Sequence, residues 1–146
     1  MEVLPGVGVA LVHIGQPRST VEVSLGPPRA VHGRTAHYDA PVLIVDYDED
    51  GLVELVQVPY SGVGDEATLA DVQLTYRFMD DVLRDLTDRG YRHTSSDIGY
   101  DFEAGFALFS MSSLDARAID PDASEDDPRG VVEGVAVAPY AYFHRA

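Results

Sequence analysis

The feature of the sequence that most constrains its fold is a pair of apolar runs joined through an Asp-Gly dipeptide. Pro41–Tyr47 is the first run and Leu52–Val58 is the second, and both contain several β-branched residues. Between them lies Asp48–Asp50, followed by Gly51, which can supply the positive φ of a tight turn. β-Branched residues favour the extended backbone of strands. The pattern therefore predicts a β-hairpin and, with it, an antiparallel sheet.

On either side of a Gly-containing polar linker, Ser61–Glu66, the chain predicts a strand, then a helix, then further strands. Each predicted helix has apolar residues three or four positions apart and a glycine placed to end it. The elements predicted before the hairpin are a strand at Val7–Ile14, a helix at Pro17–Leu25 and a strand at Arg34–Tyr38. Those predicted after the linker are a strand at Val72–Tyr76, a helix at Arg77–Arg89, and strands at Ile98–Asp101, Gly105–Met111 and Val131–Tyr140.

Short matching segments indicate that the second half repeats the first. The offset between the halves rises along the chain, which predicts about 17 additional residues in the second half. An acidic segment, Leu114–Gly130, has that length. The matching segments are Val21–Leu25 with Val82–Leu86, Tyr38-Asp39 with Tyr100-Asp101, and Val53–Tyr60 with Val132–Tyr140, at offsets of 61, 62 and 79 residues.

These patterns predict an α+β fold made of tandem duplicated β-α-β-β-β units, with antiparallel sheets and one helix per unit. The first unit covers residues 1–62, and the second covers 67–146 with an acidic insertion at 114–130. A unit of about 60 residues buries little core by itself, so we expect the two units to pack as one compact domain.

Composition excludes several kinds of chemistry. The chain of 146 residues has no cysteine, which removes thiol nucleophiles, disulfides and Cys-built zinc sites. It has no lysine, since all ten basic residues are arginine, which removes Schiff-base catalysis and a P-loop. A formal charge of −15 disfavours direct contact with nucleic acid. Without a long apolar window or a leader-like start, the sequence predicts a cytoplasmic protein without membrane contact.

The acidic residues are concentrated in two segments. Residues 1–38 carry two acidic and three basic residues, a balance of +1, whereas residues 39–146 carry 23 and seven, a balance of −16. The concentrations can be solvated surface, or they can be a face offered to a basic partner. The candidate partner-binding residues are Asp46, Tyr47, Asp48, Glu49 and Asp50 in the hairpin, and Asp120, Asp122, Glu125, Asp126 and Asp127 in the insertion.

No motif predicts catalysis or a metal site. Asp46, Asp48 and Asp50 match the first half of a calcium loop, but the twelfth position is Gln57 and the flanking segments are strands. No histidine pair has an H-x-x-x-H or HExxH spacing, and no serine lies in a nucleophile elbow. His32 and His37, five residues apart and near Asp39, could meet across a bend as a His–Asp acid–base pair or as two metal ligands, but a lone histidine on a strand is more often a surface residue. We therefore predict no catalytic residue, no metal and no cofactor, and an enzyme is disfavoured.

A polar pocket is the alternative site. His37 and Asp39 could form an acid–base pair on a concave sheet face, accompanied by neighbouring tyrosines. The repeat would add the matching pair from the second half. The residues of this alternative pocket are His37, Tyr38, Asp39, Tyr100 and Asp101.

Gly8–Pro28 combines a glycine-bounded strand, a short helix with a central valine, and the sequence Leu25-Gly26-Pro27. The segment resembles a recurrent pattern of small bacterial β-α-β-β-β repeat proteins and of outer-membrane assembly lipoproteins. It is also similar to units found among polymorphic-toxin immunity proteins. Because the lipoproteins need a lipobox cysteine that is absent here, the resemblance implies a cytosolic relative and supplies no catalytic residue.

We therefore expect a non-enzymatic, acidic protein-binding module, and most concretely an immunity protein that neutralises a basic toxin. A carboxylate-rich surface can occupy a basic cleft in place of phosphate. Two alternatives stay open. One is a small-ligand-binding or enzymatic domain that uses the polar pocket, and the other is a homodimeric structural protein whose sheets pair across a twofold axis.

Overall fold

The predicted hairpin lies near the centre of a large antiparallel sheet in the computed structural model, which describes residues 1–62 and 66–144. The helices are α1 (Arg18–Leu25), α2 (Met79–Asp88) and α3 (Tyr140–Phe143), with a 3₁₀ turn at Ala116–Ala118. The strands of the first half are β1 (Val3–Leu4), β2 (Gly8–Val9), β3 (Val12–His13), β4 (Ala30–His32), β5 (Thr35–Asp39), β6 (Val42–Tyr47) and β7 (Val53–Pro59). Those of the second half are β8 (Thr68–Leu69), β9 (Val72–Gln73), β10 (His93–Ser95), β11 (Gly99–Phe102), β12 (Phe106–Phe109) and β13 (Gly134–Val137).

Strands from both halves form one eight-stranded sheet, in the order β10-β11-β12-β13-β7-β6-β5-β4. Every neighbouring pair is antiparallel. The last strands of the two halves meet at the centre, where Val58 on β7 lies opposite Val135 on β13. The architecture is therefore α+β and mostly antiparallel, with few helices.

The order of elements is similar in the two halves. The hairpin β2–β3 precedes α1, and the hairpin β8–β9 precedes α2. Each of these helices is followed by four strands of the large sheet, where the sequence predicted three. The additional strands, β4 and β10, are edge strands of three residues each, and their mostly exposed residues are too few to show a strand-like apolar pattern.

Several predicted strands are shorter than expected, and the predicted strand Val72–Tyr76 covers only Val72–Gln73. Val7–Ile14 is interrupted at Ala10-Leu11, where the chain turns between β2 and β3. Val131–Tyr140 ends as a strand at Val137, because Pro139 lies at the start of α3. Phe78 occupies the N-cap position of α2, and the nearby Thr75 is buried.

The entry to each helix is tied to its half of the sheet by similar backbone hydrogen bonds. The donors in the second half lie 61 or 79 residues after those in the first half, which are the offsets of the sequence repeat. The matched bonds, donor first, are Gly15 to Val53 and Tyr76 to Val132, Val53 to Gln16 and Val132 to Arg77, and Arg18 to Gly51 and Met79 to Gly130.

Strand alternation gives the sheet two different faces. Leu43, Val45 and Tyr47 on β6 belong to the main core together with residues of α1 and α2. The opposite face, called the open face below, carries Ile44 and a smaller apolar cluster beneath α3. No helix in the described part of the chain is both long and apolar enough to cross a membrane.

Candidate functional site

The hairpin turn presents three adjacent carboxylates, Asp48, Glu49 and Asp50, called the acidic tip below. The Asp48 carboxylate accepts hydrogen bonds from the backbone N–H groups of Asp50 and Leu52, at 2.9 and 3.0 Å. Gly51 has a φ of 77°, so it takes the left-handed conformation that the turn requires. These bonds fix the backbone of the acidic tip, and the side chains of Glu49 and Asp50 remain exposed.

The acidic tip forms one wall of an open depression of about 350 Å³. Arg34, from the turn between β4 and β5, and Glu54 complete the depression. Within the described residues, the acidic tip makes no ion pair. The same part of the chain contains no group of three or more ligands that could hold a metal. The depression is therefore an anionic surface in which Arg34 is the lining cation.

Asp46 and Tyr47 do not belong to this surface. The Asp46 carboxylate lies on the open face, where it accepts hydrogen bonds from Thr35 Oγ1 at 2.5 Å and from Gln57 Nε2 at 3.4 Å. Tyr47 is 1% exposed and packs in the main core, with the Arg18 guanidinium 4.3 Å from its ring centroid. The inclusion of Tyr47 among partner-contacting residues is thereby corrected, because strand alternation turns its ring inward.

The second acidic concentration, Leu114–Gly130, and the acidic tip lie at opposite ends of the central strands of the sheet. β7 and β13 are antiparallel, so the turn before β7 and the connection before β13 are at opposite ends of the central strand pair. The seven residues of β7 span about 23 Å. The acidic tip and the segment Leu114–Gly130 therefore do not form one continuous patch.

Two arginines of Leu114–Gly130 form ion pairs with four of its six acidic residues, and the segment keeps a net charge of −4. Arg129 pairs with Asp120 at 3.1 Å and with Asp127 at 2.7 Å, and its guanidinium lies 4.1 Å from the ring centroid of Phe78. The hydrogen bonds from Arg129 lower the pKa of Asp127. On the same segment, Arg117 pairs with Asp115 at 2.9 Å and with Glu125 at 3.7 Å, whereas Asp122 and Asp126 are exposed and make no ion pair among the described residues.

The structure does not bring the residues of the alternative polar pocket together. His37 and Asp39 lie on the open face of β5, where Asp39 pairs with Arg29 at 2.9 Å. Tyr38 is buried on the opposite face of the same strand. Tyr100 and Asp101 lie on β11, five strand spacings or about 24 Å from β5. His37 instead lies near His32, with 5.5 Å between the ring centroids.

A groove on the open face was not predicted from the sequence. Its floor is formed by Leu55, Ala107 and Ala136, and Phe109 and Phe143 form its aromatic sides. The volume of this apolar groove is about 420 Å³. Finding it requires the register of four strands and the position of α3, because its residues come from distant parts of the sequence.

One carboxylate lies in the apolar groove. Asp101 projects from β11 directly opposite Ala107, and its side chain is 13% exposed. His144 Nε2 lies 3.7 Å from the carboxylate. Burial raises the pKa of Asp101, and the nearby His144 opposes that shift. Ile98 and Met111, which are 49% and 62% exposed, form an apolar rim.

Comparisons with known proteins found no matching family model, no matching curated protein and no matching solved structure.

Proposed function

We propose that this protein is a non-enzymatic protein-binding module that binds a basic partner through the acidic tip. The observation that carries this proposal is the depression where Asp48, Glu49 and Asp50 lie together without an ion pair among the described residues. Their backbone is already fixed by the Asp48 hydrogen bonds, so binding orders little additional chain.

The acidic tip is a better contact surface than Leu114–Gly130. In that segment a basic partner would compete with Arg117 and Arg129 for Asp115, Asp120, Glu125 and Asp127. At the acidic tip, Arg34 is the one basic residue that lines the depression in the described part of the chain. Uncompensated charge on a fixed turn favours rapid, salt-sensitive association with a cationic surface.

An immunity function is the most specific form of this proposal. Its basis is the similarity of the predicted β-α-β-β-β unit to units of polymorphic-toxin immunity proteins, together with the acidic tip. In a cytoplasmic setting, the carboxylates would occupy the cationic cleft of a toxin in the place of phosphate groups.

We also infer that the chain arose by tandem duplication of a unit with one main helix. Three matched pairs of backbone hydrogen bonds at the helix entries support this inference, since they follow the sequence offsets of 61 and 79 residues. The similar order of elements supports it as well. The unit would comprise a hairpin, a helix and four strands, joined to its copy through β7 and β13.

The site is tested by NMR titration of the full chain with a hexa-arginine peptide in dilute buffer. We expect the largest shifts at the amides of Glu49–Gly51, and we expect them to diminish with added salt. The triple variant Asp48→Arg, Glu49→Arg, Asp50→Arg should lose these shifts.

The matched control reverses three exposed acidic residues elsewhere, Asp97→Arg, Asp122→Arg and Asp126→Arg. This control has the same net charge as the triple variant but should keep the shifts at the acidic tip. Shifts centred on Asp120–Asp127, or equal losses in the two variants, would remove the acidic tip from the proposal.

A further inference from the structure

The apolar groove is concave, as a binding cleft is, and differs in this from an ordinary sheet surface. Ala107 and Ala136 form a low floor on adjacent strands, and the exposed side chains of Ile98 and Met111 rise beside it. Gly134 lets the Phe109 ring pack directly against β13, since a Cβ at that position would lie 2.2 Å from Cζ of the ring. Exposed apolar side chains gathered around a concave floor are typical of ligand sites.

Asp101 differs from Asp39 and Asp46, two other carboxylates on the open face. Asp46 accepts hydrogen bonds from Thr35 and Gln57, and Asp39 accepts one from Arg29. Among the described residues, no donor makes a hydrogen bond to the Asp101 carboxylate, since His144 is 3.7 Å away. The only cationic partner of Asp101 among the described residues is a histidine 3.7 Å away, which is too far for a hydrogen bond and is charged only when protonated. A largely buried carboxylate with so weak a partner is costly to maintain, so the apolar groove offers an acceptor that a ligand can satisfy.

The charge and size of the apolar groove define its occupant. A cationic N–H group satisfies Asp101 with a charge-assisted hydrogen bond, whereas an anionic ligand would be repelled. The volume of about 420 Å³ is within the usual range for small-molecule sites. Leu55, Phe109 and Phe143 provide apolar contacts for a hydrocarbon or aromatic body.

We propose that the apolar groove binds a small organic ammonium, with the nitrogen at Asp101 and the apolar body between Phe109 and Phe143. This ligand site is separate from the acidic tip, which contributes no residue to the groove. The assignment therefore does not depend on the proposed protein partner.

The test uses three probes with the same apolar body, titrated into the full chain and followed by amide NMR shifts. The probes are 3-phenylpropylamine, 3-phenylpropan-1-ol and 3-phenylpropionate. We expect the amine to shift amides of β11, β12 and β13 and to bind about tenfold more tightly than the alcohol. The carboxylate should bind more weakly than the alcohol.

Variants assign the recognition to Asp101. Asp101→Asn should reduce amine affinity to that of the alcohol, whereas Asp39→Asn, on the same face outside the groove, should leave both affinities unchanged. Ala107→Leu fills the floor and should weaken the amine and the alcohol together, which keeps the test valid if Asp101→Asn fails to fold.

Three results would overturn the proposal. One is equal affinity for the three probes, and another is an equal loss of amine affinity in Asp39→Asn and Asp101→Asn. The third is a set of shifts outside β11–β13, or no shifts at millimolar amine. Loss of hexa-arginine binding at the acidic tip would leave the amine site intact, so the two proposals fail separately.

Discussion

Tyr47 illustrates how one residue in an acidic segment can serve the core. It lies between Asp46 and Asp48 in the sequence, yet its ring is buried while Asp46 projects from the open face. The alternation of β6 determines this division. The sequence could predict that Asp46 and Tyr47 face opposite sides, but the face covered by α1 and α2 depends on the tertiary packing of those helices.

Removal of the Tyr47 hydroxyl should cost little stability at neutral pH. The hydroxyl is buried and makes no hydrogen bond of ordinary geometry among the described residues, and the equally unsatisfied Tyr38 hydroxyl lies close to it. Tyr47→Phe keeps the ring in the core and removes an unsatisfied polar group, so the free energy of unfolding should stay within about 1 kcal/mol of the wild type or rise. Urea denaturation at pH 7 measures it. A loss above 3 kcal/mol would show that the hydroxyl has a partner.

Tyr47 also makes the free energy of unfolding sensitive to high pH. Burial raises the pKa of Tyr47 to about 12, above its ordinary value of 10.0. Below pH 10 the hydroxyl is neutral in both states, but between pH 10 and pH 12 it ionises first in the unfolded chain. The free energy of unfolding should therefore fall over this window, and less steeply in Tyr47→Phe. If the free energy of unfolding fell equally gently with pH in Tyr140→Phe, the assignment to Tyr47 would be contradicted.

Two glycines close in sequence should respond differently to a methyl group. A Cβ at Gly134 would lie 2.2 Å from the Phe109 ring, whereas a Cβ at Gly130 would have no heavy atom within 4 Å. We expect Gly134→Ala to destabilise the protein by about 1–3 kcal/mol, because Phe109 must move. Gly130→Ala should change stability by less than about 0.5 kcal/mol. Paired urea denaturation curves measure the difference.

At the scale of elements, the acidic connection Leu114–Gly130 is organised by its arginines. The composition alone was compatible with a mobile arm, because it is acidic and poor in apolar residues. The structure instead buries Ala116, and the Tyr76 hydroxyl donates a hydrogen bond to the Ala118 carbonyl at 2.5 Å. The sequence could not reveal this anchoring, because Tyr76 lies 42 residues away.

Arg129 should control the order of that connection. Arg129→Ala removes the pairs with Asp120 and Asp127 and the contact with Phe78, so the segment should become more open to proteolysis. A glutamate-specific protease, with cleavage at Glu125 followed by mass spectrometry, measures the change. Arg92→Ala is the control, since Arg92 is exposed and makes no ion pair within the described chain. Equal protection of Glu125 in both variants would contradict this role.

The hairpin and the two main helices could be predicted because local patterns specify them. β-Branched runs around a turn define β6 and β7, and glycines follow the apolar faces of α1 and α2. β4 and β10 could not be predicted, because they are held by pairing with β5 and β11 and lack an apolar face of their own. Their existence depends on a neighbour that only the folded sheet supplies.

At the scale of the whole molecule, the two halves depend on each other through β7 and β13. Val56, Val58, Val135 and Val137 are all buried at this central pair. The sequence repeat could predict two similar halves, but it could not identify which strands join them. That choice depends on long-range register, for which no local signal exists.

The separate halves should therefore fail to fold. Residues 1–62 alone would expose the edge of β7, and residues 67–146 alone would expose the edge of β13. We expect each fragment to lack a cooperative thermal transition by circular dichroism and to associate or aggregate in size-exclusion chromatography. A monomeric half with cooperative melting would show that one half retains a sufficient core.

The antiparallel pairing of β7 and β13 also determines where the chain can be lengthened without disturbing the sheet. The connection after the third sheet strand leaves the sheet at opposite ends in the two halves. In the first half it is a five-residue turn after Tyr47, and in the second half it contains the long acidic segment. Lengthening one of them leaves the geometry of the other untouched. The molecule thus has two independent poles, so a new binding specificity could be engineered at one pole while the other keeps its original shape.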